Sequence, residues 1–249
     1  MYSAPVIKKT FEVLSLVVDS KRPLGVTEIA RTLALSKSTV FGILKALQEA
    51  NLIVKSKSTK RYAIGEELFK IAKRVLQGGE LSAIARPFME KLVEDVDETV
   101  FLCVREDSLV KLIDTIETRK KLKISSPVGT RLPITASVFC KAFLAPMQDN
   151  EIRDFLKEKG LPKYTENSIT DIDRFIEEIR VTRNRNYSLD LEEYLMGVRA
   201  IATLVYANDY PVGAICILGF IGSMPTEKIP DMAERLISTA RKISERLSQ

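Results

Sequence analysis

The sequence predicts an α+β protein of two domains. Three observations carry that expectation. Two short amphipathic helical segments followed by a basic hairpin fill the first quarter of the chain. Apolar β-rich runs at 99–116 and 198–220 bracket a set of amphipathic helices in the remainder. The glycine pair Gly78-Gly79 interrupts helical periodicity between the two regions. With 249 residues there is enough chain to bury a core in each.

The first region is organised around VTEIARTLALSKSTVFGILKAL, Val26 to Leu47. Thr27 is a candidate N-cap for a short helix whose apolar face is Ile29, Ala30 and Leu33. Leu35-Ser36 breaks the pattern, and Ser36 is a natural N-cap for a second helix. There Val40, Ile43, Leu44 and Leu47 fall at helical spacing, which turns them to a core. Lys37, Ser38, Thr39, Phe41 and Lys45 are left on other faces. A short helix followed by one whose first turn offers Lys, Ser and Thr is a helix-turn-helix pattern, with short donors where phosphates and base edges are met. A solvated helix pair in a small bundle would read the same way on spacing alone. Gly42 costs that helix about 1 kcal/mol relative to alanine, so it either admits close approach of backbone or is a tolerated surface glycine.

The flanking segments favour the first reading. Val6 to Val18 is a helix with Ile7, Phe11, Leu14 and Val18 at three-to-four spacing. Leu52 to Ser56 and Lys60 to Ile64 form two short strands joined through Ser58-Thr59, with Tyr62 and Ile64 on one face. Lys55, Lys57, Lys60 and Arg61 crowd its tip, as a wing that contacts phosphates would require. Residues 1–76 hold 14 Lys and Arg against 6 Asp and Glu, a net of +8. The remaining 24 against 27 leave residues 77–249 at −3. A basic module joined to a mildly acidic one is the charge layout of a nucleic-acid-binding domain attached to something else.

Gly65 to Gln77 reads as a helix with Leu68, Ile71, Ala72 and Val75 on one stripe. Leu81 to Val96 resumes helically, with Pro87 either kinking it or lying in a first turn. Thr99 to Val104 and Leu109 to Ile116 form a hairpin about Asp107-Ser108, with a further short strand expected near Leu122 to Ser125. Ile134 to Met147 reads as a helix opened by Thr135 or Ser137. Helices at Glu151 to Lys159 and Asp171 to Arg185 follow, the latter capped by Thr170. Strands Val198 to Tyr206 and Val212 to Phe220 flank a turn at Asn208-Asp209, and Pro225 to Leu247 closes the chain as an amphipathic helix.

Composition removes several function classes. No histidine occurs, which excludes His-based metal sites and Ser-His or Cys-His nucleophiles. Cys103, Cys140 and Cys216 are odd in number, widely spaced and set in apolar sequence, the pattern of reduced, buried thiols in a cytoplasmic protein. No apolar run approaches the roughly 20 residues of a membrane span, and MYSAPVIKK lacks the apolar core of a signal peptide. No metal, cofactor or membrane partner is expected.

Several stretches together resemble the isocitrate-lyase-regulator (IclR) family of bacterial transcription factors. SKSTVFGILKAL with the hairpin ending RYAIG resembles that family's recognition helix and wing. IARPFMEKL with ETVFL resembles its linker and entry to a second domain. PVGTRLPITASVFCKAFLA is similar to VGxxLPLHATxxGKALLA, and TENSITDIDRFIEEIRVTRNRNYSLDLEEYLMGVRAIA to TxxTITD…IRxxGYxxDxEExxxGVxCIA. The resemblance implies a winged helix-turn-helix domain over 1–64, a linker helix over 65–79, and a GAF/PAS-like effector and oligomerisation domain with an antiparallel sheet over 80–249. It implies dimers, in this family often paired into tetramers, on pseudo-palindromic duplex DNA. DNA contacts are then expected from Thr27, Ser36, Lys37, Ser38, Thr39, Phe41, Lys45, Lys57, Lys60 and Arg61.

By the same resemblance the effector site lies among Ile124, Leu132, Ser137, Val138, Phe139, Asp190, Ala200, Cys216 and Leu218. Departures from the family pattern concentrate there. The family's HAT is Thr135-Ala136-Ser137, its glycine is Cys140, its CIA cysteine is Ala200, and the serines of SxSG are Cys216 and Leu218. Lost donors disfavour two- and three-carbon oxoacids, because a buried carboxylate left unpaired is costly. The expected effector has one polar or anionic end and an apolar body. Three readings result: a repressor that senses such a molecule, a DNA-binding regulator whose pocket its own side chains fill, and an enzyme on a sensor-like fold. The last lacks histidine, a phosphate cradle, paired carboxylates, a base for Ser137 and a resolving cysteine.

Overall fold

The computed structural model describes residues 5–20, 22–68, 70, 71, 80–136 and 138–248. The chain divides into two compact units, Met1–Val75 and Leu76–Gln249. The helix stripe over 72–77, the glycine pair and Ser137 lie outside the described residues.

The first unit is built from helices α1 (Pro5–Val18), α2 (Val26–Thr32) and α3 (Lys37–Glu49) and the antiparallel pair β1 (Ile53–Lys55) and β2 (Tyr62–Ile64). Leu24 bridges to Tyr62 through two backbone hydrogen bonds of 2.9 and 2.8 Å, adding a third rung beside the hairpin. Its core is Val13, Val17, Leu24, Ile29, Ala30, Val40, Ile43, Leu44, Leu47, Ile53 and Tyr62. The expected inward faces of α2 and α3 are therefore the buried ones. Helix α1 differs: Val13 and Val17 point inward, whereas Ile7, Phe11 and Val18 are exposed. Both sets fall at helical spacing, so periodicity alone does not choose between them. Gly65 does not begin a helix; a Cβ there would stand 2.3 Å from the Asn51 carbonyl oxygen, and helix resumes at Glu66.

The second unit is a six-stranded antiparallel sheet in the order β5-β4-β3-β8-β7-β6, with helices on both faces. Its strands are β3 (Thr99–Glu106), β4 (Leu109–Ile116), β5 (Arg131–Pro133), β6 (Ser188–Leu191), β7 (Val198–Ala207) and β8 (Tyr210–Phe220). Alternation sorts each central strand between two cores. Val100, Leu102, Val104, Ile201, Val205, Ile215 and Ile217 meet helices α4 (Glu80–Val96) and α8 (Ile229–Leu247). Phe101, Cys103, Ala200, Ala202, Leu204, Ala214 and Cys216 meet the other layer, α5 (Val138–Leu144), α6 (Asp149–Lys159) and α7 (Ile172–Arg185). Several residues on that second face are small, which lets α5 settle against the sheet with all seven of its residues buried. Asp114 ties α4 to the sheet, accepting from Ser82 Oγ at 2.6 Å and from Arg86.

Several boundaries differ from the sequence reading. Residues 122–125 are irregular, and the short strand is Arg131–Pro133, whose register on β4 is set by Val110 opposite Leu132. Residues 134–147 do not form one helix: a 3₁₀ turn, Ile134–Ala136, precedes the seven-residue α5. Gly25 rather than Thr27 is the N-cap of α2. Asp171, not Thr170, caps α7, accepting from the Arg174 N–H at 2.8 Å. Pro87 lies inside α4, beyond its first turn. Strand β6 carries too short an apolar alternation to stand out in sequence.

Leu144 is fully buried in the second face's core. Leu144→Ala is expected to lower stability by about 2–5 kcal/mol through lost transfer energy and a residual cavity. A urea melt followed by circular dichroism would read this as a lower midpoint at unchanged slope.

Candidate functional site

Packing of the first unit leaves a defined polar face outward. Ser36 caps α3, its hydroxyl accepting from the Thr39 N–H at 3.1 Å and lying 2.9 and 2.8 Å from the Ser38 and Thr39 hydroxyls. This orders the first turn as a cluster of short donors. Lys37, Phe41 and Lys45 follow one another at i, i+4 and i+8 along the exposed side, with Ser38 beside them, while Thr39 is half-buried. Phe41 is 51% exposed, so it does not serve the core. The Lys55 ammonium stands 5.9 Å from its ring centre and 5.2 Å from that of Tyr62, linking recognition helix and wing. A Cβ added at Gly42 would meet nothing within 4 Å, so no neighbouring helix requires that glycine.

The wing is less uniformly free. Lys57 and Lys60 are exposed at its tip, Lys60 in a left-handed conformation (φ 56°). Arg61 instead turns back, donating to the Pro23 carbonyl at 3.0 Å and to Glu28 at 3.3 Å. Glu28 also pairs with Arg22, whose guanidinium holds the carboxyl below the usual carboxylate range. Arg61 thus ties the wing to the start of α2, a role its place in a basic run did not indicate. Thr27 is exposed in the first turn of α2 beside this network.

In the second unit the predicted pocket residues separate into two groups. Val138, Phe139, Ala200 and Cys216 are buried members of a continuous core, Leu218 packs against it, and Leu132 and Ile124 are half-buried. Of the eight that are described, only Asp190 lines the adjoining cavity, whose other walls include Thr135, Ala136, Leu161, Tyr164, Ser168, Ile169, Phe175, Glu193 and Tyr194. That cavity measures about 20 Å³, room for a single water. A wider, open cleft of about 490 Å³ lies beside Arg183, Tyr187 and Arg241 and touches none of the predicted residues among those described.

Bonded to Glu193, one residue of that cavity's wall, is a group the sequence reading missed. Lys141, in the middle of α5, has a side chain only 2% exposed. Its ammonium donates to the Leu189 carbonyl at 2.6 Å and to Glu193 Oε1 at 2.5 Å. Asp190 Oδ1 accepts from the Glu193 N–H at 2.7 Å, which fixes the turn carrying that glutamate. Burial pushes the Asp190 and Glu193 carboxyls up, and the Lys141 charge draws both partly back. Removing one partner of such a buried pair typically costs about 3–5 kcal/mol. A lone lysine inside the apolar run VFCKAFLA was the available signal, because charge in a core helix must be paired. Burial also raises all three thiols, Cys140 to about 12, which makes them poor nucleophiles.

Known proteins match both units. The IclR helix-turn-helix domain matches residues 6–57, and the bacterial transcriptional regulator IclR C-terminal domain matches residues 73–245. The chain belongs to the IclR family. It is similar to the transcriptional repressor IclR of Escherichia coli, 28% identical over 241 residues covering 96% of this chain and 88% of that one. The acetate operon repressor of Salmonella typhimurium is 27% identical with the same coverage. Among solved structures, the Thermotoga maritima IclR covers 98% of this chain and 99% of its own at a TM-score of 0.65 and 27% identity. These matches make the chain a DNA-binding transcriptional regulator with a C-terminal effector domain.

For an IclR-family regulator the exposed face above yields two expectations. Lys57→Ala with Lys60→Ala should weaken binding to all duplexes alike and flatten the log–log salt dependence by about 1.8 per protomer bound, near 0.9 for each phosphate no longer neutralised. Fluorescence anisotropy across a salt series would read it; altered sequence preference at an unchanged slope would count against backbone contacts. Phe41→Ala should relax discrimination at one position per half-site, because its ring no longer meets a thymine methyl. Its melting should stay within about 0.5 kcal/mol of wild type, as for other surface changes. A marked drop in stability with specificity intact would assign Phe41 to packing.

Proposed function

We propose that the protein is a homodimeric repressor that binds a two-fold-related operator in the cytoplasm. The observation that carries the reading is the exposed Lys37, Ser38, Phe41 and Lys45 face of a capped second helix, flanked by the Lys57 and Lys60 tip. The names of the Escherichia coli and Salmonella relatives support repression as the sense of regulation. Recognition helices of two copies would enter major grooves one or two turns apart, roughly 34 Å per turn. The reading is a non-enzymatic one, supported by three buried thiols of raised pKa and by the regulators among its relatives.

The partner in the dimer is a second copy of the chain, and α1 is the element proposed to meet it. Ile7 (55% exposed), Phe11 (63%) and Val18 (42%) form a stripe that the first unit does not use. An isologous contact would cover the same stripe on both copies. Further pairing into tetramers would involve the second unit.

The C-terminal domain is proposed to take an effector with one anionic end and an apolar body. Thr135 and Ser168 in the cavity wall support the first property; Phe175, Leu161, Ile169 and the rings of Tyr164 and Tyr194 around the cavity support the second. The second reading, regulation without a ligand, is favoured by the cavity's volume of about 20 Å³.

A reporter fused to the chain's own operator tests the function. Expression should fall when the protein is supplied and recover with Lys37→Ala and Lys45→Ala together. Phe11→Glu should convert dimers to monomers in analytical ultracentrifugation and lower operator affinity at least tenfold, while circular dichroism stays unchanged. A Phe11→Glu protein that remains dimeric and binds as wild type would contradict the assignment of α1.

A further inference from the structure

We propose that the open cleft between the outer edge of β7 and helices α5, α7 and α8 is a binding site for a small carboxylate that carries an amide, a molecule of the N-acyl amino acid kind. The site is separate from the small cavity beside Asp190 and does not depend on what that cavity holds. Its volume of about 490 Å³ falls in the range of small-molecule sites.

The cleft exists because β6 stops before β7 does. Ser188, the first residue of β6, stands opposite Ala202, and β7 runs on to Ala207 with no strand of the described residues on that side. Backbone groups along a strand alternate between its two edges. The Gly197 carbonyl accepts from the Ile221 N–H at 2.9 Å on the β8 side, and the Val198 carbonyl accepts from the Glu192 N–H at 3.1 Å on the β6 side. Every second residue from Val198 therefore faces the outer edge, which brings Ala202, Leu204 and Tyr206 there. The outer two have side-chain partners. Ser188 Oγ donates to the Ala202 carbonyl at 3.2 Å, and the Tyr206 N–H donates to Ser244 Oγ at 2.9 Å. Leu204 between them has no such partner among the described residues, so its N–H and carbonyl face the cleft. Main-chain groups shielded from bulk solvent are almost always paired, so these two call for water or a ligand. An amide answers both at once, its carbonyl accepting and its N–H donating.

The walls select the rest of the molecule. Thr182, on α7, is 3% exposed and its hydroxyl has no hydrogen-bond partner. The family motif IRxxGY has isoleucine and glycine where this chain has Thr182 and Asn186, so polar groups have been added along this wall. No aspartate or glutamate lines the cleft, whereas two arginines do. Arg183 is engaged by Asp149 and by the Ala145 and Met147 carbonyls. Arg241 is exposed on α8 and forms no ion pair among the described residues, which leaves its guanidinium for a carboxylate. Tyr187, Tyr206 and Ile237 supply apolar surface for an acyl group.

Hippurate, an aromatic acyl group joined through an amide to a carboxylate, is the probe. Titrated into the full-length protein by calorimetry at fixed ionic strength, it should bind once per chain. Methyl hippurate keeps the amide without the charge, and benzoate keeps the ring and the charge without the amide. Each should bind more weakly by about tenfold or more, the loss of one hydrogen-bonded or charged contact. Arg241→Met should weaken hippurate by about the same factor and leave the melting temperature of the free protein unchanged. Thr182→Val, which removes the unpaired hydroxyl at nearly constant shape, should also weaken hippurate without lowering that melting temperature. No hippurate binding by wild type, equal binding of methyl hippurate or benzoate, or wild-type affinity in either variant would overturn the site. Operator binding takes no part in this readout, so a failure of the regulator reading leaves the result standing.

Discussion

An ammonium buried out of water is stable only where acceptors meet it, and at Lys141 the Leu189 carbonyl and the Glu193 carboxylate do so, joining the buried helix to the turn after β6. The helix carrying it is wholly buried because the sheet face beneath is lined by small side chains, Ala200, Ala202, Ala214 and Cys216. With the cation so placed, an anion must come to it, and Glu193 does so from the turn after β6. Bringing Glu193 inward draws the backbone of 192–194 against Thr165 and Ser168 and sets Tyr194 against Tyr164. Glu193, Tyr194, Tyr164 and Ser168 all stand in the wall of the narrow cavity. Residues the family resemblance assigned to a pocket, Val138, Phe139, Ala200 and Cys216, are packed as core, and the absence of polar donors at 200, 216 and 218 fits that packing.

The DNA-facing unit obeys a complementary rule, in which the core decides what remains outside. Val40, Ile43, Leu44 and Leu47 fix the rotation of α3, and that rotation presents Lys37, Ser38, Phe41 and Lys45 together. The Ser36 cap sets where the helix begins and hence which donors stand at its first turn. Not every cation nearby is available to phosphate: Glu28 engages both Arg22 and Arg61, anchoring the wing while Lys57 and Lys60 carry its exposed charge. Local charge counting cannot separate a cation that binds a phosphate from one that binds a carboxylate of its own chain.

The extent to which the sequence disclosed this molecule follows physical lines. Elements with long, unbroken periodicity were legible: α3, the β3–β4 hairpin about Asp107, the β7–β8 pair about Asn208-Asp209, and the closing helix. Short elements defined by pairing were not, since β5 and β6 exist because β4 and β7 offer them an edge. Helix α1 was legible as a helix but not in its orientation, since Val13–Val17 and Ile7–Phe11–Val18 make two competing apolar stripes. The Lys141–Glu193 pair was half legible: a lysine in VFCKAFLA calls for a partner, but the partner is 52 residues away, and nothing in LEEYL says which glutamate will meet the helix. Family motifs indicated where a ligand would be expected, while the structure packs Val138, Phe139, Ala200 and Cys216 of that set into a core cluster.

The most direct test of a DNA-binding repressor that reads a two-fold-related operator is footprinting of genomic DNA with the purified full-length protein and no added small molecule. Protection of paired, two-fold-related half-sites about one or two helical turns apart is the expected result, because the exposed Lys37, Ser38, Phe41 and Lys45 face of each copy enters a major groove. Absence of any protected site, or protection of single unpaired sites, would contradict the account.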